Sequence, residues 1–518
     1  MTITAPELEI AVLVLGMAIL LVEAFAPKID KRAIAFVAII GLAVVLVGSF
    51  FVAPSASTGQ TTGFWSFYAA DRLAIFFKQF SLLTTIFVLI LMIDYAPVLR
   101  RSFPGTSPQA GLGEFFALPI FTCVGLMYLV SAIDFVFIFV SLELVTISFY
   151  VLVSFTRRDP MTLEAGTKYL VLSALSTAFL VYGIAWIFGA TGQTNLQRIA
   201  DVLGHPSVAA GIGDPSRIGA VMSTSPALPM PATTIDRNAT LLGMVLVLVA
   251  LGFKIAAVPF QIWVPDVYQG APTPVTAYLS VGSKAAGFVV LLRVLQPFLA
   301  LPQTQRLIVV IALLTLIYGN LAALPQANLK RLLAYSSIAH AGYLLIGVAC
   351  FDAAAISFYL AAYLLMTLLS FAVLIIVAQQ TGEQIADFDG LAKRSPFLAF
   401  AMLIGMVSLA GVPFTAGFLG KFFIFYAAIA QQQTVLVVVG VITVGCGFYY
   451  YLKVIRAMYW QPAAKTERIP VNGLSRLAIS LLIIATIWFG VYPQPILNAL
   501  KSRETVTKAF ANHSFSRS

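Results

Sequence analysis

Six ionisable residues stand in stretches of this chain that are otherwise apolar. Glu143 lies in Phe135–Val153, a run with no other charge. Lys168, Lys254 and Lys284 occupy the next three apolar segments, Lys284 beside Ser280 and Ser283. His340 has Ser336, Ser337 and Tyr343 within about one turn, and Lys421 follows Pro413. A lysine or carboxylate at the bilayer centre costs about 2.5–3.5 kcal/mol on insertion scales, so such residues are first read as functional. Desolvation disfavours the charged form of a lysine and a nearby carboxylate favours it. Moving a partner charge therefore switches a lysine between holding and releasing a proton. Glu143 and Lys168 are 25 residues apart across a short hairpin near Arg157–Pro160, a spacing expected to bring them to similar depth as an ion pair. Lysine, glutamate and water relay protons along hydrogen bonds, but they do not transfer electrons.

Other chemistries lack residues. Cys123, Cys350 and Cys446 are far apart with no CxxC, so iron–sulfur and zinc sites have no ligand set. His205, His340 and His513 are never paired at helical spacing, and neither a phosphate-cradling loop nor a dinucleotide fingerprint occurs. No redox centre or cofactor is expected in this chain.

The elements that must hold these groups follow from composition. The 518 residues are 60% hydrophobic and 10% charged, with mean hydropathy +0.96. A soluble domain carries about 25% charge, so the fold class is an all-α membrane protein. Fourteen spans are expected, from 8–26 to 474–492. The first is not read as a cleaved signal peptide, having Glu7 and Glu9 in place of a basic n-region. Fourteen basic residues fall in odd-numbered loops and five in even-numbered ones, which puts the odd loops in the cytoplasm and both termini outside it. The net charge of +10 thus reports topology, and no clustered basic face supports nucleic-acid binding. Arg293, Lys453 and Arg456, near span ends, read as snorkelling anchors, and Lys78 and Glu23 as structural. The one long loop, 190–239, reads as an irregular outer excursion rich in Gly, Pro, Ser and Thr.

Two segments are too long for one straight crossing. Residues 240–270 would extend about 46 Å as a helix and 396–430 about 52 Å, against a hydrocarbon core of about 30 Å. Each carries Val-Pro-Phe, at Pro259 and Pro413, and proline breaks a helix. Paired broken helices point to an internal repeat of the transporter kind. The two are spans seven and twelve; an odd offset makes the repeats inverted, with five-helix units at spans 4–8 and 9–13. The expected division is a three-helix segment (1–113), a first repeat (114–305), a second (306–460), and a last helix with tail (461–518).

Three runs carry a family resemblance: Gly252–Val275 with Pro265-Asp266-Val267-Tyr268-Gln269-Gly270-Ala271-Pro272, Asn328–Tyr343, and Gly411–Lys421. They resemble the antiporter-like subunits of respiratory complex I, NADH:quinone oxidoreductase, over most of the chain. The Asp266–Gly270 motif is similar to subunit N, the counterpart of mitochondrial subunit two. Lys421 stands where subunit M typically has glutamate, and the sequence runs only a short way past the fourteenth expected span, which disfavours a resemblance to subunit L with its lateral helix.

The resemblance implies a proton-translocating subunit in a bacterial plasma membrane. It implies Glu143 and Lys168 as a modulating ion pair, Lys254 as the central proton-loading residue, Lys284 and His340 as the connecting relay, and Lys421 as the outlet. FMN, iron–sulfur clusters, NADH and quinone are expected in partner subunits, with subunits K and M and the lateral helix of L as neighbours. Gln261 departs from the pattern, because many relatives have a titratable histidine there. Two alternatives are a cation/proton antiporter subunit of the Mrp type and a subunit of a ferredoxin- or hydrogenase-linked relative. A third is a passive spacer, which would do better without intramembrane lysines.

Overall fold

The computed structural model describes residues 4–25, 30–54, 66–101, 111–204, 236–299, 301–462 and 467–500. Among these residues there is no β-strand, only three isolated bridges between loops. The chain runs α1 (Ala5–Phe25), α2 (Lys31–Ser49), α3 (Arg72–Arg101), α4 (Leu112–Ser131), α5 (Phe135–Val153), α6 (Pro160–Thr191) and α7 (Leu196–Gly204). It continues as α8 (Arg237–Ile255), α9 (Val264–Gly270), α10 (Thr273–Phe298), α11 (Pro302–Ala323), α12 (Leu329–Ala349) and α13 (Ala353–Ala378). The last major helices are α14 (Pro396–Ala410), α15 (Ala416–Ala430), α16 (Thr434–Trp460) and α17 (Gly473–Val491). Thirteen described helices are long and apolar enough to cross a membrane. The end-to-end pair α14 and α15, 15 residues each, supplies a fourteenth crossing.

Scarce acidic residues start these helices. Asp30, Asp134, Asp159, Asp236 and Asp352 each accept a hydrogen bond from a backbone N–H in the first turn of the following helix. Each satisfies a donor that would otherwise be stranded, worth about 1 kcal/mol.

Loop-to-loop hydrogen bonds divide the connections into two sets. Asn195 donates to Ser66 O, Ala69 N to Ser131 O, and Gln431 to Cys350 O, joining loops that are all even-numbered. Thr162 donates to Gly270 O, Lys330 to Ala271 O, and Leu329 N to Glu383 O, joining odd-numbered loops only. This parity is what fourteen alternating crossings require, and it defines an even face and an odd face.

Both long segments are broken. α8 ends at Ala256 in the left-handed region (φ 65), and a 3-10 turn at Gln261–Trp263 leads into α9. The break lies deep in the bundle, since Val258 N donates to Thr315, the fourteenth residue of α11. α14 ends at Gly411 (φ 91), and α15 begins after Thr415. Ala256 and Phe414 (φ 68) are non-glycine residues at positive φ, one at each break. Such backbone costs of order 1–3 kcal/mol and concentrates at functional sites.

The long-loop expectation is corrected in part. Residues 196–204 form the short helix α7, anchored where Asn195 caps Gln197 and Arg198. Residues 205–235, with His205, lie outside the described residues, as does His513.

Candidate functional site: a buried line of lysines and hydroxyls

The most enclosed spans are α10, α12 and α13, and they carry Lys284, His340, Tyr359 and Tyr363. Polar groups sit where the bundle is thickest, with no lipid-exposed face to snorkel toward.

Lys254 is at the C-terminal end of α8, where the helix dipole favours a cation. Its ammonium donates to Thr146 Oγ1 at 2.5 Å and lies 5.9 Å from the Tyr169 ring centroid. Thr146 is one turn from Glu143 on α5, and Glu143 is the carboxylate whose charge reaches Lys254. Glu143 itself is half-buried and accepts from Thr177 at 2.7 Å.

A cavity of about 10 Å³, the size that admits one water, is lined by Lys254, Ser283 and Gly287. Its other walls are Leu129, Leu142, Val145, Leu251 and Val290, and Ser283 is the residue before Lys284. Residues Leu279–Ser283 form a π-helical turn immediately before Lys284. That geometry is rare and recurs at functional sites. Lys284 donates to both the carbonyl and the hydroxyl of Ser337. Ser337 also accepts from Tyr363 at 3.0 Å, and the Tyr363 ring is 5.2 Å from that of His340.

His340 bridges two phenols, with Nδ1 2.7 Å from the Tyr359 hydroxyl and Nε2 3.1 Å from that of Tyr451. One turn on, the Tyr343 ring is 6.0 Å from His340 and lies 5.0 Å below the Lys421 ammonium. Lys421 donates to Leu409 O at 2.9 Å and Ala410 O at 2.8 Å, the last carbonyls of α14. The two half-helices thus meet through a lysine on one and carbonyls on the other. Lys254, Lys284, His340 and Lys421 are brought into one buried line.

Lys168 is not on that line, and its expected pairing with Glu143 is corrected. It pairs with Glu164 at 2.6 Å and Asp266 at 2.7 Å on the odd face, and is 39% exposed. The reason is register. Tyr150 packs on Tyr169, and a Cβ on Gly166 would strike Ser154, so α6 projects about two turns beyond the end of α5. Lys168 is then level with residue 152, about 14 Å along the bundle from Glu143. Asp266 also takes Arg331 at 3.0 Å, which reaches Gln269 as well. The Asp266 and Gln269 of the signature motif therefore tie α6, α9 and α12 together.

Gln261 is buried, and its Oε1 has no hydrogen-bond partner among the described residues. Sequence reasoning missed Thr146, Tyr359, Tyr363 and Tyr451. Their signal was hydroxyls at helical spacing from a charge or from each other, as with Glu143 and Thr146 or Tyr359 and Tyr363. No group of three or more His, Cys, Asp or Glu able to hold a metal occurs among the described residues.

A second charged cluster lies toward the even face. Lys78 pairs with Glu9 at 2.8 Å, both fully buried, and Tyr68 contacts each of them. Arg293, expected as a lipid-facing anchor, instead holds Asp71 in the interior at 3.2 and 2.9 Å and donates to Val130 O. It cannot snorkel because α10 is enclosed along nearly its whole length. Lys453 does cap an odd-face loop at Gln326 O, and Glu23 pairs with Lys31 at 2.5 Å.

Comparison with known proteins places this geometry. Residues 132–447 match the family described as "NADH:quinone oxidoreductase/Mrp antiporter, TM". The chain is 38% identical over 501 residues to NADH-quinone oxidoreductase subunit N of Trichlorobacter lovleyi, covering 94% of each. A chain of respiratory complex I from Thermus thermophilus superposes with TM-score 0.75 at 30% identity, over 95% of this chain and 98% of that one. A chain of the Mrp complex from a Dietzia species, at 19% identity and TM-score 0.76 over 96% of each, shares the fold alone. The chain belongs to the family of NADH-quinone oxidoreductase subunit N.

Proposed function

We propose that this chain moves protons through the buried line from Lys254 through Lys284 and His340 to Lys421, as the antiporter-like membrane subunit N of an NADH:quinone oxidoreductase. The observation that carries this reading is the alignment of these groups in the enclosed interior. Three lysines and a histidine are each buried; Lys284 bonds Ser337, which accepts from Tyr363 beside the His340 ring, and the Tyr343 ring lies between His340 and Lys421. A structural core has no use for four desolvated bases in series.

In this reading Glu143 sets the affinity of Lys254 for its proton. A proton held on Lys254 passes across the gap beside Ser283 to Lys284, then through Ser337 and Tyr363 to His340. From there it passes by Tyr343 to Lys421, with carbonyls of α14 orienting the last ammonium. Spans 4–8 and 9–13 serve as the two inverted repeats, and the odd face is cytoplasmic because it holds most of the basic residues. Lys168 acts with Asp266 and Arg331 as an odd-face latch and not as the direct partner of Glu143. Electron transfer by FMN, iron–sulfur clusters and quinone belongs to partner subunits, with K, M and the lateral helix of L alongside.

The test is Lys254→Ala in the assembled complex. We expect proton pumping to fall by about 10²-fold or more, the usual contribution of a positioned proton carrier. Normal assembly with an unchanged proton-to-electron ratio would sink the reading for this residue.

A further inference from the structure

The Glu9, Tyr68 and Lys78 cluster lies apart from the line through Lys254 and Lys421, yet it places a full ion pair in the dry interior. Breaking such a pair costs several kcal/mol, and an apolar replacement of similar volume is often neutral or better. Its surroundings say what it does. On α3, Lys78, Ser81 and Thr85 are spaced i, i+3, i+7, so they line one face, and all three are buried. Ser81 and Thr85 each donate to the main-chain carbonyl one turn back, Phe77 O and Ser81 O, which leaves both hydroxyl oxygens as acceptors, and the stripe stops at Thr85, where its hydroxyl meets the Tyr278 hydroxyl at 2.8 Å. Beyond it the same face continues with Val88 and Met92. Tyr278 is the residue before the π-helical turn, and its ring packs on Gly282 within that turn.

Two contacts fix the register of α3 against antiparallel α10. Thr85 bonds Tyr278 and Asp71 bonds Arg293, so residue numbers facing each other sum to about 363 or 364. Lys78 is therefore level with Ala285, next to Lys284. From that depth the cluster leads outward. Tyr68 lies in the loop before α3, and Glu9 is one turn from the start of α1, both at the even face. One oxygen of Glu9 accepts from Tyr68 at 2.9 Å, while Oε2 is buried with no hydrogen-bond partner among the described residues. That oxygen is a position for a transferred proton. The charges facing the pair are Arg293 and Asp71, which neutralise each other.

We propose that this cluster is a second proton exit, carrying protons from the π-turn of α10 along Tyr278, Thr85 and Ser81 to Lys78 and Glu9, and out at the even face. The last transfer is from the Lys78 ammonium to the Glu9 carboxylate, leaving a neutral amine and a carboxylic acid. Glu9 then releases the proton to water, and Lys78 is reloaded from the hydroxyl stripe. The inference rests on the proposed proton path through Lys254, and it gives the first repeat an outlet of its own besides Lys421.

The test uses the assembled complex in inverted membrane vesicles, with NADH-driven proton uptake and electron transfer read together. Glu9→Gln keeps an acceptor for Tyr68 but cannot carry the proton, and Lys78→Arg keeps the ion pair but cannot release one. Both should lower protons moved per electron by about threefold or more, as should Thr85→Val, while Glu9→Asp stays near wild type. A purely structural pair would tolerate Lys78→Arg and Thr85→Val. Wild-type pumping by assembled Glu9→Gln, alongside loss in Lys254→Ala, overturns this exit and leaves the main path standing. Wild-type pumping in both overturns both. If Glu9→Gln fails to assemble, Lys78→Arg and Thr85→Val, which exchanges only the hydroxyl for a methyl, decide, and wild-type pumping in those two overturns the exit.

Discussion

Lys254 and Lys421 meet the cost of burial differently. Lys254 has a hydroxyl, an aromatic face and the field of Glu143; Lys421 has two main-chain carbonyls at a helix end and the face of Tyr343. A charge-assisted hydrogen bond is worth about 1.5–3 kcal/mol, so both arrangements can hold a cation without a direct ion pair. Only Lys254 has a carboxylate whose distance or charge could change. Glu143→Gln should therefore impair coupling far more than Glu143→Asp when protons per electron are measured. Equal, wild-type pumping in both would remove Glu143 as a charged modulator. Lys168→Ala should act differently, weakening the latch at Asp266 and Arg331 while retaining more pumping than Lys254→Ala. The charges themselves were legible from sequence because charge is so rare in apolar runs. Their partners were not. Whether Lys168 meets Glu143 or Asp266 depends on how far α6 overshoots α5, which no spacing along the chain reveals.

At the scale of elements, the breaks at Pro259 and Pro413 were legible because proline and excess length coincide twice. The π-turn before Lys284 was not, since Leu279–Ser283 carries no residue that demands it. Close approach of α6 and α8 sets the Tyr169 ring of α6 beside the Lys254 ammonium of α8. Gly183 and Gly243 make this possible, because a Cβ on either would come within 2.8 Å of the other's carbonyl oxygen. Small residues at such crossings are how membrane helices pack closely. Gly243→Leu should push the helices apart and cost about 1–3 kcal/mol or more through overpacking, read as loss of the chain from the assembled complex. Normal assembly and pumping would show that this contact does not set the site.

At the scale of the whole molecule, loop parity turns a basic-residue bias into a testable orientation. Asn195 lies in an even loop and Arg158 in an odd one. In intact cells, Asn195→Cys should react with a membrane-impermeant maleimide, whereas Arg158→Cys should react only after permeabilisation. The reverse pattern would invert the topology and the direction of both proposed exits. Fourteen crossings and their alternation were legible in hydropathy alone. The buried pairs Glu9 with Lys78 and Asp71 with Arg293 were not, because each joins residues more than sixty positions apart. Near a span end, a residue's fate depends on which helix covers it, and here the N-terminal helices and α4 enclose what sequence position alone assigned to the lipid boundary.

Lysines in the line carry protons and do more than place positive charge. Lys254→Arg separates the two, because arginine keeps the charge and can reach Thr146 but does not give up its proton. Measured as protons per electron in vesicles bearing the assembled complex, Lys254→Arg should fall as far as Lys254→Ala. A wild-type ratio in Lys254→Arg would show that positive charge alone suffices at this position.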